Sequence, residues 1–208
     1  MNCYWAYFKE ENGEIFRFDT RIYFQPIDKP SDNDECICAV IGMNPGSAKP
    51  QKINNNEIQE IILDKDKTLP NIKSIFLEAN NEKRLNTKNK YIQVLNLFYL
   101  CNENANVAKE KAKTELSKYL SEQYICPSEK NKFNFIFYAW GLAKGINNYK
   151  TRFIDKNDHF SKNHLWFDKE TEKVMTILPN KNDKVKHPIG LTHENLILPI
   201  RSLLNKYL

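Results

Sequence analysis

Four short runs along the chain place apolar residues on both alternating faces of a strand: ECICAVIGM (35–43), KYIQVLNLFYL (90–100), KFNFIFYAWG (132–141) and the weaker EKVMTILP (172–179). A strand that is apolar on both faces is covered on both, which is the habit of a parallel sheet flanked by helices. Five other segments carry helical spacing or good helix formers. Residues 56–66 have apolar positions at 58, 61, 62 and 63, and residues 69–83 have them at 69, 72, 75 and 76. Residues 106–124, 142–154 and 194–208 complete the set, with Pro199 expected to bend or delay the last. Strands alternating with helices predict βαβ units and the α/β class. In front of them, YWAYF and EIFRFDTRIYFQP alternate aromatic with polar residues and predict a hairpin or edge strands in an N-terminal extension of about residues 1–34. A length of 208 residues suits one domain spanning the whole chain.

Composition narrows the class. Hydrophobic residues make up 41% and aromatics 12%, enough to build a core and too many for a disordered chain. No run approaches the ~18 apolar residues of a membrane helix, and MNCYWAYFKEENG lacks the basic-then-apolar order of a secretory leader. A cytoplasmic location without a membrane partner is therefore expected. The net charge of +5 permits a polyanionic partner without requiring one. Five scattered cysteines with no C-x-x-C pair predict free thiols, no metal site and no cofactor.

In open parallel sheets, ligands collect beyond the carboxyl ends of the strands. The first run ends in Gly42, Met43, Asn44, Pro45, Gly46 and Ser47; the second contains Asn96; the third ends at Trp140 and Gly141; the fourth leads to His187 and Pro188. Each has a plain structural reading. Asn-Pro-Gly is a turn signal. Asn96 can be satisfied by backbone at a strand end, failing which its burial costs about 1–3 kcal/mol. His187 can be a loop residue, and Trp140 suits the core beneath a helix. Taken together at successive strand ends, Asn44, Asn96 and His187 converge on one rim.

This order of motifs resembles the uracil-DNA glycosylase superfamily. There, G-x-[DN]-P-[YG] follows the first strand, a strand ends in L-L-N, a third ends in W-G or L-G, and an H-P-S loop comes last. The corresponding stretches are GMNPGSA (42–48), VLNLF (94–98), FYAWGLAKG (137–145) and KHPIGL (186–191). The wording is also similar to a bacterial and phage family of unknown function with L-N-P-S-T-A, D-x-T, V-V-N-L-F, A-W-G and H-P-L motifs, matched by MNPGSA, DKTLPNI (66–72), VLNLFYL, AWG and PNKNDKVKHPIGL. The resemblance spans residues 35–191. It implies a three-layer α/β/α fold with a central, mostly parallel four-stranded sheet, acting as a monomer on double- or single-stranded DNA.

The resemblance also implies an activity: hydrolysis of the N-glycosidic bond of a flipped-out uracil-like or modified pyrimidine, in base-excision repair or in phage DNA as antiviral defence. Asn44 takes the water-positioning place and His187 the place that stabilises charge on the departing base. Asn96 reads the base edge, with Met43 and Phe98 beside it; Phe76 is a second stacking candidate. Gly46, Ser47, Lys49 and Lys186 are expected to hold phosphates, with Lys184 steering DNA. Two departures stand out: an amide replaces the carboxylate that some members carry in the first motif, and Ile189 replaces the serine of H-P-S. A non-catalytic nucleic-acid or nucleotide-binding module, and a hydrolase or transferase of free nucleosides or nucleotides, remain the alternatives.

Overall fold

The computed structural model of the chain describes residues 1–55, 57–80, 86–114, 126–142, 145–155, 161–190 and 194–207. Its β-branched and aromatic runs form eight strands: β1 (Asn2–Glu11), β2 (Glu14–Ile27), β3 (Glu35–Gly42), β4 (Ile58–Glu60), β5 (Lys90–Asn96), β6 (Ile136–Tyr138), β7 (His164–Asp168) and β8 (Lys173–Met175). They join one sheet in the order β4-β1-β2-β5-β3-β6-β7-β8. The β5–β3, β3–β6 and β6–β7 pairings are parallel. The β4–β1, β1–β2, β2–β5 and β7–β8 pairings are antiparallel. The fold is α/β, but the expected mostly parallel four-stranded sheet is corrected to an eight-stranded one in which antiparallel pairings are the majority. The reason lies at β5. Its outer row of backbone donors and acceptors needs a partner, and β2 supplies it from Thr20 opposite Val94 to Tyr23 opposite Tyr91.

Among the described residues four helices cover the sheet: α1 (Thr68–Ala79), α2 (Ala105–Ala112), α3 (Asn147–Ile154) and α4 (Glu194–Tyr207). Leu69, Ile72, Ile75 and Phe76 of α1 and Leu196, Ile200 and Leu204 of α4 pack on Val40, Val94, Phe137 and Leu165. Ala108 and Ala112 of α2 and Phe153 of α3 pack on the opposite face with Ile41, Leu95, Tyr138 and Trp140. Pro199 lies inside α4 without ending it.

Three local expectations change. Residues 58–60, expected in a helix, pair as β4 with β1; their isoleucine-rich stretch serves a sheet edge, and Asp64 at φ 44° turns the chain before α1. The buried fourth parallel strand is β7, whereas the run at 172–179 supplies only the short antiparallel edge strand β8. Helices α2 and α3 are shorter within the described residues than the segments expected for them; residues 115–125, 143–144 and 156–160 lie outside those residues.

Phe76 is fully buried and its ring stacks on Phe135 at 6.2 Å, with 11° between the planes. Replacing Phe76 with Ala removes that contact and leaves a cavity between α1 and the sheet. The variant is expected to lose about 3–5 kcal/mol, measured by urea unfolding as a lower midpoint at unchanged slope.

Candidate functional site

The site begins where β3 and β5 end side by side. Gly42 is opposite Asn96 in the parallel ladder, and a Cβ at Gly42 would lie only 3.0 Å from Asn96 Oδ1. The ladder continues past both strands: Leu97 N–H donates to Gly42 O at 3.0 Å and Phe98 N–H to Met43 O at 3.2 Å. Asn96 is 2% exposed, and among the described residues its Nδ2 has no hydrogen-bond partner. An orphaned buried donor costs about 1–3 kcal/mol, and Asn96 lines a cavity that a ligand can enter. From the opposite face, Arg152 Nη2 donates to the carbonyls of Asn96 and Leu97, both at 3.0 Å.

Asn44 follows in the turn after β3. Its Nδ2 donates one N–H to Asn102 O at 2.8 Å, which orients the side chain and leaves Oδ1 as the available acceptor. Four residues on, Ala48 O accepts from Nη1 of buried Arg17 at 3.1 Å, anchoring this turn to β2.

His187 arrives along β7. Lys169 N–H donates to Lys184 O at 2.9 Å and Lys186 N–H to Phe167 O at 3.0 Å, so residues 184–186 lie against the end of β7 and deliver His187 to the rim. Asn71 of α1 holds the next residue, donating to Pro188 O at 2.8 Å. Gly141, at φ +77°, makes room for the imidazole: a Cβ there would sit 3.5 Å from His187 Cβ and from Met43 Cε. Ile189 N–H donates to His187 Nδ1 at 3.3 Å, which puts the proton of the neutral ring on Nε2. Burial holds the His187 pKa below its ordinary value, and the Asp66 charge opposes that shift without cancelling it.

These groups surround one cavity of about 360 Å³, within the range of small-molecule sites. Asn44, Asn96, His187, Met43, Gly46 and Ser47 all line it. Phe98, Lys49, Lys186 and Phe76, also expected at the site, do not line it. Phe98 is 1% exposed and packs edge-to-face on Tyr149 at 5.6 Å, in the core of the opposite face. Lys49 is exposed beyond the turn, bridged to Ile62. Lys186 Nζ sits 5.3 Å over the Phe167 ring. Phe76 belongs to the core beneath α1.

Five charged lining residues had no assigned role in the sequence: Arg17, Lys65, Asp66, Lys67 and Glu103. Asp66 falls in the DKTLPNI stretch, so a signal for it existed. Arg17 had only a weak one, a cation between the phenylalanines of FRF. Asp66 Oδ1 accepts from Thr68 N–H at 2.7 Å and Leu69 N–H at 3.2 Å, capping the first turn of α1. Its Oδ2 faces Gly46 and lies 3.9 Å from Arg17 Nη1, with both side chains buried. Among the described residues no group of three or more His, Cys, Asp or Glu is placed to hold a metal ion. No described helix is long and apolar enough to cross a membrane. All five cysteines are free, and burial pushes the thiols of Cys36 and Cys126 up to about 12, far from a reactive thiolate.

Burial also lowers the His164 pKa. A histidine whose folded pKa lies below its unfolded value of 6.5 contributes its full share of stability above 6.5, and that share is lost as the pH falls through the folded pKa. Urea unfolding at stepped pH is expected to show stability declining below 6.5, with a shallower decline when His164 and His187 are both replaced by Gln. Comparison of the chain with family models, with curated proteins and with solved structures returned no match.

Proposed function

We propose that the protein is a DNA glycosylase that hydrolyses the N-glycosidic bond of a flipped-out uracil-like or modified pyrimidine. The observation that carries this reading is the buried, unpartnered Nδ2 of Asn96 in the same cavity as Asn44 and His187. A pyrimidine carbonyl is the acceptor such a donor lacks, and the Asn side chain presents both a donor and an acceptor to a base edge. Bond cleavage leaves the sugar oxocarbenium-like and puts negative charge on the base. Asn44 Oδ1 orients the attacking water. His187 Nε2–H donates to the charge that develops on the base; a neutral imidazole does this without first losing a proton.

A cavity of this size takes one nucleotide at a time, so a base within a duplex enters it only after swinging out of the stack. Lys65 and Lys67 are exposed on the rim and supply positive charge for the phosphates, the part expected of Lys49 and Lys186. The same chemistry serves base-excision repair and removal of bases from phage DNA.

The test is base release from single- and double-stranded DNA carrying uracil, a mispaired base or a modified pyrimidine, with alkali used to reveal abasic sites. Wild-type protein is expected to release base from at least one of these. Asn44→Ala and His187→Ala are each expected to slow release by about 10²–10³-fold with DNA affinity changed by no more than about threefold. No release from any substrate overturns the reading. DNA binding alone then identifies a binding module, and turnover of free nucleosides without DNA identifies a small-molecule hydrolase.

A further inference from the structure

We propose that Asp66 is the carboxylate that activates the attacking water, supplying from the start of α1 the group missing at Asn44. This rests on the glycosylase reading above. Asp66 lines the cavity with Asn44, Asn96 and His187, and its side chain is only 5% exposed. Its two oxygens have separate tasks. Oδ1 is occupied by the backbone N–H groups of Thr68 and Leu69. Oδ2 accepts no hydrogen bond from any described residue. Its nearest cation, Arg17 Nη1, donates to Ala48 O and is 3.9 Å away, too far to hydrogen-bond. Oδ2 is thus a fixed, charged acceptor open to a water, held by a helix start and a buried guanidinium. Purely structural roles for Asp66, as helix cap and counter-ion, do not use this oxygen for a hydrogen bond.

The charged and titratable groups that line the cavity with Asp66 are Arg17 from β2, Lys65 and Lys67 on either side of it, Glu103 ahead of α2, and His187 from the segment after β8; Tyr4 from β1 also lies within reach of its charge. In the step proposed, a water held between Asn44 Oδ1 and Asp66 Oδ2 attacks C1′ of the deoxyribose. Its oxygen forms the new C1′–O bond while one of its protons passes to Asp66 Oδ2. The C1′–N bond breaks and its electron pair leaves with the base, where His187 Nε2–H meets the charge. The proton on Asp66 then passes to solvent or to the released base. One water is consumed, and an abasic sugar and a free base are formed.

The experiment uses the full chain and two variants, Asp66→Asn and Asp66→Ser. Both keep an oxygen able to cap α1 and lack the carboxylate, and thermal melting identifies the folded ones. Single-turnover base release by either folded variant is expected to fall by at least about 100-fold, in line with loss of general-base catalysis. Affinity for abasic-site DNA is expected to stay within about threefold of wild type. Sodium formate is expected to restore part of the rate of Asp66→Ser, a rescue that a structural role does not predict. A folded variant that releases base at the wild-type rate, or whose loss lies wholly in DNA affinity, overturns the proposal. Failure of the glycosylase reading is seen separately, as wild-type protein that releases no base.

Discussion

The buried guanidinium of Arg17 is the point on which the site's frame depends. It is 2% exposed, and a cation so placed needs a nearby anion and hydrogen-bond acceptors to remain in the folded state. Nη1 takes the carbonyl of Ala48, fixing the turn after β3, and Asp66 stands 3.9 Å away, fixing the approach to α1. Asp66 in turn caps the first turn of that helix through its other oxygen. One side chain from the N-terminal hairpin thereby ties β2, the Asn44 turn and α1 together. Arg17 is the contribution of residues 2–27 to the cavity lining, and Phe8, Ile22 and Phe24 are buried in the same core as α1.

A second buried network does the corresponding work at β5 from the opposite face. Arg152 clamps the carbonyls of Asn96 and Leu97, and its Nε lies 3.2 Å from Glu129 Oε2. The hydroxyl of Tyr99 donates to the other oxygen of Glu129. The backbone of Asn96 is firmly held while its side-chain Nδ2 has no hydrogen-bond partner among the described residues. The same division recurs in the cavity: Asn44 commits one N–H and keeps an acceptor, and His187 commits Nδ1 and keeps Nε2–H. Groups fixed in this way meet a ligand with little reorganisation, which is what electrostatic stabilisation of a transition state requires.

Much of the fold and part of the site were legible in the chain. Apolar runs on both strand faces marked β3, β5 and β6 because burial on two sides leaves a local imprint. The strand-end rule then singled out Asn44, Asn96 and His187, which the structure places around one cavity. Reading failed where an element's state depended on its neighbours. IQE at 58–60 sits on a helical pattern yet pairs with β1, because a sheet edge was available. HLWFD is too short to announce itself, yet it is the parallel strand against which residues 184–186 lie to deliver His187. Phe98 and Asn96 differ by two positions, as same-face residues of a strand do, but the chain has left β5 by residue 98 and the phenyl ring falls on the other face.

The sequence by itself determined the α/β class, the central buried strands and the strand-end polar residues, because hydrophobic periodicity and turn chemistry act over a few neighbouring positions. Only the tertiary structure decided the eight-stranded sheet, the hairpin's place on β5, and the meeting of Arg17 with Asp66. Those two residues are separated in the chain by β3 and β4, and no local pattern links them. Their pairing follows from backbone hydrogen bonding along β2–β5 and from the demand of a buried cation for a nearby carboxylate, both of which exist only once distant segments are in contact.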